Sequence, residues 1–571
     1  HLKDDATEYA KEDKVKDLVQ HYSEFITHPI YIRTTTTMTV DVEDDEEEDD
    51  EPKVVEDIEV GEDEDDAEKP KKTEEVTTHS WEEVNTNPAI WTREKDSITD
   101  EEYKSFWNVV AKEPSTECEK WSHFNAEGNI NFRSILYLPK DVPSHYRFGN
   151  VDAVEGGMKL YVRKVLISDE FDLMPRYLGF IRGVIDSDDL PLNVNRETLQ
   201  ESKILKIIKK KVVRKAIDMI RNFAKEDPPT DEEDEVEAEI DDEGNVVDSD
   251  PVEKEHPYLE WYKKFSNNLK MGVIDDDANR SKLAKLLRFQ TSKSGDKWIS
   301  LDEYVENMHD WQTEIFVLAG TKREDIEKSP FLEEFNNRDI EVLYLTEAVD
   351  EYLMQTLRDY DGKKFQQISA ENVKLKDEDE DLVKRREKAY KNKFKPLTKW
   401  LKQLYGQSVM RVQVSKRLGS VPAIVSSSEY GHSANMERIM RAQAYQWGQD
   451  EFSMRAMKIL EINPRHPFVV KLLDGAPGED DEDAKVDADV ENAAWLLFDM
   501  ASLNGGFPLA DTLAHSKRLS NYLQSSLSVD SLDLEDEIDP PEEDLEAPDV
   551  DLDGVDGLNM EDFNMDGIDL D

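Results

Sequence analysis

The stretch LPLNVNRETLQ, residues 190–200, places a single arginine, Arg196, at the start of a long basic helix. Asn193 or Asn195 can cap that helix by accepting a hydrogen bond from an unpaired backbone N–H. Glu197 suits the positive end of the helix dipole. The stretch therefore predicts that a helix begins here, with an arginine beside its first turn.

Residues 202–224 continue the stretch as an amphipathic helix with one apolar face and one basic face. The apolar positions recur at helical spacing; they are Leu205, Ile208, Val212, Ala216, Ile220 and Phe223. The basic positions are Lys206, Lys209, Lys210, Arg214, Lys215 and Arg221. A guanidinium beside unpaired N–H groups at a helix start can bind a phosphate. On physical chemistry alone, a capped surface helix with an exposed arginine is the more common outcome.

A longer run around this stretch, VIDSDDLPLNVNRETLQESKILKIIKKKVVRK from residue 184, resembles the signature segment of the Hsp90 chaperone family, in the form of its endoplasmic-reticulum member. Further runs carry the same resemblance: KLYVRKVLISDEF (159–171), MPRYLGFIRG (174–183), NRSKLAKLLRFQ (279–290), VLYLTEAVDEY (342–352), ANMERIMRAQAYQ (434–446) and EINPRHP (461–467). Together they cover most of the chain from about residue 81 to residue 527.

The resemblance implies a multidomain α+β fold. Its parts would be a middle α/β/α domain, a smaller second α/β unit, a helical coil between them, and a mixed α/β dimerisation domain at the C-terminal side. The boundaries expected are 1–40 for the end of a nucleotide-binding domain, 41–78 for an acidic linker, 79–373 for the middle domain with an acidic insertion at 227–255, 374–529 for the dimerisation and client-binding domain, and 530–571 for an acidic disordered tail.

The same resemblance implies an ATPase when the protein is complete, with ATP and Mg²⁺ bound by an N-terminal domain whose pocket is not in this chain. Arg196 would contact the γ-phosphate of that ATP and act catalytically. Asn193 and Gln200 would position the loop and the helix start.

Client proteins, unfolded or immature, would bind at two places in such a chaperone. The helix predicted at 436–444 is expected to expose Met436 and Met440, although a methionine pair at helical spacing is more often part of a core. Tyr146 and Phe148 lie in a loop at 141–157 that either contacts clients or covers the domain, and the two interpretations are about equal. The family usually has a tryptophan where this chain has His432.

Composition excludes several other classes. A net charge of -59 argues against a protein that coats nucleic acid or anionic lipid. A single cysteine, Cys118, excludes an internal disulfide and a cysteine-based zinc cluster. No apolar run is long enough to insert into a membrane. Clustered carboxylates allow weak calcium binding, but the one loop that imitates an EF-hand start has Met560 at its twelfth position, so no specific metal site is predicted.

Residues 315–357 predict a β-α-β-α unit with parallel strands and a first helix at 323–336, and apolar spacing predicts one further helix at 385–405. Gly320 is the only glycine at its first strand–helix turn, so no dinucleotide-binding fingerprint is present. Two amphipathic helices, 487–503 and 511–527, predict a helical hairpin. The hairpin either packs within the chain or, as the resemblance implies, forms a homodimer through a four-helix interface.

The triplet Asn279-Arg280-Ser281 is a glycosylation sequon and gives weak support to the endoplasmic reticulum lumen, with the cytoplasm as the alternative. The sequence contains neither a signal sequence nor a KDEL-type ending. The expected function is an ATP-dependent chaperone, with co-chaperones as further partners. The alternatives are a nucleotide-independent dimeric holdase or scaffold, and an acidic calcium buffer.

Overall fold

A computed structural model of the chain describes residues 3–41, 73–111, 116–128, 130–143, 157–168, 173–190, 203–226, 256–371, 373, 375, 380–428, 431–447, 457–478, 486–534 and 537–538. Helices and small sheets alternate along these residues, which gives the mixed α+β architecture that the sequence predicts. Among the described helices, none is both long enough and apolar enough to cross a membrane.

The first described segment is a helix followed by a long β-ribbon. Helix α1 (Glu12–Ser23) precedes strand β1 (Tyr31–Asp41), which pairs antiparallel with β2 (Thr73–Glu83) in eleven residue pairs. Phe25 packs edge-on against Trp91, with 4.8 Å between the ring centroids, and so fastens this segment to the next domain. The ribbon includes residues 73–78, which the expected domain boundaries assign to the acidic linker.

A five-stranded sheet with helices on both faces follows. Its strands are β3 (Cys118–Ala126), β4 (Phe132–Pro139), β5 (Met158–Val162), β6 (Val165–Ser168) and β7 (Arg182–Asp186), in the order β3-β4-β7-β5-β6. Side chains alternate across the sheet, so Ile135 and Tyr137 pack on helix α2 (Asp100–Ala111). Leu136 and Leu138 join the core on the other face.

That other face is covered by the basic helix α3 (Lys203–Phe223) and by α4 (Pro257–Asp275). The observed bounds of α3 confirm the helix predicted at 202–224. Short elements follow: α5 (Arg280–Ala284), β8 (Arg288–Phe289), β9 (Ile299–Ser300) and α6 (Leu301–Asn307). Helix α6 begins with a capping box in which Ser300 and Glu303 bond each other's backbone N–H.

The next unit has the predicted parallel strands. Strand β10 (Glu314–Ala319) runs parallel to β11 (Leu343–Leu345) and to β13 (Lys363–Gln367), and β12 (Asp359–Tyr360) completes the sheet. The single helix expected at 323–336 is instead two helices, α7 (Arg323–Glu327) and α8 (Glu333–Asn337), followed by α9 (Ala348–Thr356). Pro330 explains the break, because it disfavours helical backbone at the residue before it.

The last unit begins with α10 (Glu380–Lys393) and α11 (Lys395–Tyr405), which replace the one helix predicted at 385–405. Pro396, in the first turn of α11, suits a helix start and so favours the separation at Phe394. Strands β14 (Arg411–Val414), β15 (Ala423–Ser427) and β16 (Lys458–Ile462) form a sheet in the order β14-β16-β15. Helices α12 (Ala434–Trp447), α13 (Pro467–Asp474), α14 (Ala488–Asn504) and α15 (Thr512–Leu527) complete the described fold.

Candidate functional site

Arg196 lies outside the described residues, as do Asn193 and Gln200. The structure instead describes the two ends that flank residues 191–202. On the entering side, Asp186 at the end of β7 accepts a hydrogen bond of 2.9 Å from Trp91 Nε1. Its other oxygen accepts one of 3.3 Å from the backbone N–H of Lys164. These two hydrogen bonds therefore fix the position of the end of β7.

Two more hydrogen bonds hold the residues that follow. Ser187 Oγ donates to the carbonyl oxygen of Asn131 at 2.7 Å, and the backbone N–H of Asn131 donates to Asp189 Oδ2 at 3.2 Å. Leu190 is buried in the main core. The chain is thus held as far as the first residue of the quoted stretch.

On the leaving side, α3 begins at Lys203 and buries Ile208 and Val212 against the sheet. Twelve residues, 191–202, connect the two held ends. A segment between two rigid supports is a suitable place for an arginine that must reach a ligand, because the supports fix where the segment starts and ends.

The prediction that Met436 is exposed is wrong. Met440 is half-buried. Met436 is only 6% exposed. Its backbone N–H donates to Ser433 Oγ at 3.0 Å, and Ser433 Oγ donates to Glu351 of α9. Because the first turn of α12 is held against α9, Met436 faces inward. His432 is exposed beside this turn. Tyr146 and Phe148 lie outside the described residues.

Sequence reasoning missed two exposed methionines, Met410 and Met457, which are 43% and 42% exposed. The backbone N–H of Met410 donates to the carbonyl oxygen of Lys458 at 2.7 Å. They precede the parallel strands β14 and β16, so both lie at the same end of the sheet. Lys458 also pairs with Glu437 at 2.9 Å, which places α12 beside this end. We call Met410, Met440 and Met457 the methionine surface.

The predicted hairpin of α14 and α15 is held together by a buried carboxylate. Asp499 of α14 receives bonds from His515 Nδ1 at 2.9 Å and from Arg518 Nη2 at 2.6 Å. The Arg518 guanidinium also lies over the Trp495 ring, 5.4 Å from its centroid. These contacts fix α15 on α14.

The hairpin exposes several large apolar side chains. Leu519, Tyr522, Leu523 and Leu527 follow helical spacing on one side of α15. Other exposed apolar side chains of the hairpin are Met500, Leu503 and Leu513. None of these residues belongs to the buried cores of the described part. We call these seven residues the hairpin surface, and its apolar character suits burial against another protein surface.

The sequon residue Asn279 is half-buried just before α5, and Ser281 is exposed. Asn279 Nδ2 donates to Asp276 Oδ2 at 2.8 Å, and Tyr177 donates to the same oxygen at 2.7 Å. Burial opposes the ionised form of Asp276, but these hydrogen bonds outweigh it and lower the pKa of that carboxyl. The asparagine thus lies in an ordered turn.

Within the described residues, no group of three or more histidine, cysteine, aspartate or glutamate side chains is placed to hold a metal ion. The acidic stretches 42–72, 227–255 and 539–571, on which the expectation of weak calcium binding rests, lie outside those residues.

The chain is similar to known proteins over most of its length. A family model described as "Hsp90 protein" matches residues 8–551. The chain is 43% identical to an "Endoplasmin homolog" of Hordeum vulgare, over 93% of this chain and 64% of that protein. It is 42% identical to one of Arabidopsis thaliana, over 98% of this chain and 68% of that protein. It is 40% identical to one of Caenorhabditis elegans, over 96% of this chain and 67% of that protein. The chain spans about two thirds of the length of the curated relatives it matches.

Proposed function

Because the chain belongs to the Hsp90 protein family, we propose that it works in an ATP-dependent molecular chaperone that binds unfolded or partly folded proteins. Residues 79–373 and 374–529 would serve as its middle and C-terminal domains. The observation that carries this proposal is the support of the two ends that flank residues 191–202, since that segment coincides with the family's signature segment. The relatives named as endoplasmin homologs favour the endoplasmic reticulum lumen as its location, with Asn279 as a glycosylation site.

In this proposal Arg196 contacts the γ-phosphate of ATP held, with Mg²⁺, by a nucleotide-binding domain. A guanidinium stabilises the negative charge that spreads over the transferred phosphoryl oxygens in the transition state. Asn193 and Gln200 would hold the loop so that this contact forms when the domains approach. The bonds at Asp186 and Ser187 support it indirectly, because they fix the strand from which the loop leaves.

The direct test is Arg196→Ala in the protein together with its ATP-binding domain. We expect ATP turnover to fall by at least about a hundredfold, with less than about a threefold change in ATP affinity, because the arginine acts on the transition state. Arg196→Lys should recover only part of the loss, since a lysine lacks the planar fork. The measurements are steady-state hydrolysis and equilibrium nucleotide binding.

A suitable control is Arg465→Ala, which removes an exposed arginine near α13 and should leave turnover unchanged. Normal turnover by the Arg196→Ala protein would contradict the assignment. In that case, suppression of client aggregation without nucleotide would favour a holdase.

We further propose that the hairpin surface forms a homodimer. Two copies of the α14–α15 hairpin would then bury each other's apolar side chains, as the hydrophobic effect favours. The hairpin is already rigid because Asp499 fixes Arg518 and His515, so association needs little reordering.

Client binding is proposed at the methionine surface. Methionine side chains are flexible and polarisable, and they fit many different apolar partners. Met440 remains part of this proposal, and Met410 and Met457 extend it. Met436 contributes to the support of the helix instead. Tyr146 and Phe148 stay as a second proposed client contact, and co-chaperones would be further partners.

A further inference from the structure

One face of α3 carries a row of exposed basic side chains, Lys203, Lys206, Lys210, Arg214 and Arg221. We call this row the α3 basic face. Residues 203–225 contain nine lysines and arginines against one acidic residue, in a chain of net charge -59. At about 1.5 Å per residue, the row is roughly 27 Å long. The opposite side of the helix is buried against the sheet.

The α3 basic face is not neutralised by the described part of the chain. None of its five side chains forms an ion pair with another described residue. Other basic residues of α3 are engaged elsewhere: Lys211 donates to the carbonyl oxygen of Glu127 at 3.2 Å, and Lys215 lies 5.7 Å from the centroid of the Phe124 ring. Like charges three or four residues apart on a helix repel each other. The row would therefore gain from an anionic partner.

A strongly acidic segment follows α3 directly in the sequence. Residues 227–255 contain fifteen acidic residues and one lysine, and ten of the acidic residues fall within 231–243. Segment and helix are thus opposite in charge and adjacent in the chain.

The two ends of this segment are joined at the C-terminal end of α3. His256 Nε2 donates to the carbonyl oxygen of Glu226 at 2.6 Å, while His256 Nδ1 accepts from the backbone N–H of Tyr258 at 3.0 Å. Lys120 Nζ pairs with the Glu226 carboxylate at 2.5 Å. The 29 residues 227–255 therefore leave from and return to one place.

Length and polarity both allow the segment to contact the helix. Half of 29 residues, fully extended, spans about 45 Å, which exceeds the length of the α3 basic face. The helix dipole disfavours anions at the C-terminal end, where the segment is anchored, and favours them toward the N-terminal end at Lys203.

We propose that the acidic segment 227–255 binds in cis to the α3 basic face, with residues 231–243 opposite Lys206, Lys210 and Arg214. The partner of this surface is an acidic polypeptide, and its natural occupant is the chain's own insertion. This contact is independent of the nucleotide and client roles proposed above.

The test uses the full chain and a fluorescent synthetic peptide with the sequence of residues 227–255. In one variant, the ten acidic residues within 231–243 are replaced by the corresponding amides, which should empty the surface. Fluorescence anisotropy should show that this variant binds the peptide at least about tenfold more tightly than the unsubstituted chain. Raising NaCl from about 50 mM to about 300 mM should weaken the binding severalfold, because salt screens exposed charges.

Reversal of the α3 charges, K206E/K210E/R214E, in the amide variant should abolish peptide binding, and the neutral triple K206Q/K210Q/R214Q should weaken it strongly. The matched control R386E/K388E/K391E, on exposed positions of α10, should leave it intact. Equal peptide affinity of the amide variant and the unsubstituted chain would overturn the proposal, as would an equal loss in the two charge-reversed triples. If amide substitution of residues 539–571 frees the surface and substitution of 231–243 does not, the occupant is the tail and the assignment is wrong.

Discussion

Glu461 is a buried carboxylate in β16 that joins two sheets. Its oxygens accept from Arg417 Nη2 at 2.8 Å, from Ser426 Oγ at 2.8 Å and from Ser415 Oγ at 2.9 Å. Arg417 also donates to the carbonyl oxygen of Ile368, just after β13, and lies over the ring of Phe331. One ion pair thus connects the last sheet to the unit before it.

Replacing this carboxylate by an amide, Glu461→Gln, should destabilise the protein by about 3 kcal/mol, because it leaves a mostly buried guanidinium without its counter-charge. The measurement is urea denaturation followed by tryptophan fluorescence. Glu82→Gln, which removes an exposed ion pair with Lys16, should change the stability much less and serves as the control. Equal effects would show that the buried pair has no special role.

The same residue predicts a pH dependence. Burial would raise the pKa of Glu461, but Arg417 and the serine hydroxyls outweigh it and hold the pKa below its ordinary value. Since the folded pKa is depressed, the stabilisation is present above the pKa of the unfolded chain and is lost as pH falls through the folded pKa. Acid unfolding of Glu461→Gln should therefore be less steep over that range than that of the unsubstituted protein.

The burial of Met436 could not be predicted from the local sequence pattern. Helical spacing predicts that Met436 and Met440 lie near each other, but it does not indicate which neighbour covers them. The cover comes from α9, through Ser433 and Glu351, about 80 residues away in sequence. Such a contact between distant parts of the chain cannot be read from a local pattern.

At the scale of elements, apolar periodicity was reliable where a helix has one long packed face. It predicted α3 and the hairpin of α14 and α15 nearly to their observed ends. It was wrong at 323–336 and 385–405, where the period continues across a proline and two helices form instead of one. The prediction of a helix start within residues 191–202 falls outside the described residues, and the supports at Asp186 and Ser187 could not be predicted because they depend on tertiary contacts.

The hairpin surface predicts that the double variant L519E/L523E is monomeric. Burial of two leucine side chains contributes roughly 3 kcal/mol, so the dimer dissociation constant should rise by at least about a hundredfold. Sedimentation velocity measures this directly. L534E, at an exposed leucine beyond α15, is the matched control and should leave the dimer intact. A dimeric L519E/L523E protein would place the interface elsewhere.

At the scale of the whole molecule, the methionine surface lies at the junction of α12 with the last sheet. The β-bridge between Ala370 and Ser427, and the bond from Ser420 N–H to Glu333 at 3.0 Å, connect that sheet to the preceding unit. A client bound at this surface would therefore contact the last sheet, which is hydrogen-bonded to the unit before it. The proposed client-binding role and the proposed nucleotide role are thus physically connected.

The double variant M410S/M457S should weaken client binding without affecting the fold, because both side chains are largely exposed. In a light-scattering assay with a thermally unfolding test enzyme, about twice as much variant should be needed for half suppression of aggregation. M271S removes an equally exposed methionine from α4 and is the control. Identical suppression by the unsubstituted protein, M410S/M457S and M271S would exclude Met410 and Met457 from client contact.

The ribbon of β1 and β2 has a consequence for how the acidic stretch 42–72 affects the molecule. Asp41 and Thr73 are partners in the last pair of the ribbon, and antiparallel partners lie only about 5 Å apart. The flanking parts are therefore joined through the ribbon, and the 31 residues between Asp41 and Thr73 do not increase the distance between those parts. Doubling the length of a closed loop costs only about 0.6 kcal/mol. Evolution could lengthen or shorten this stretch freely, changing the local charge of the protein while the spacing of its domains stays constant.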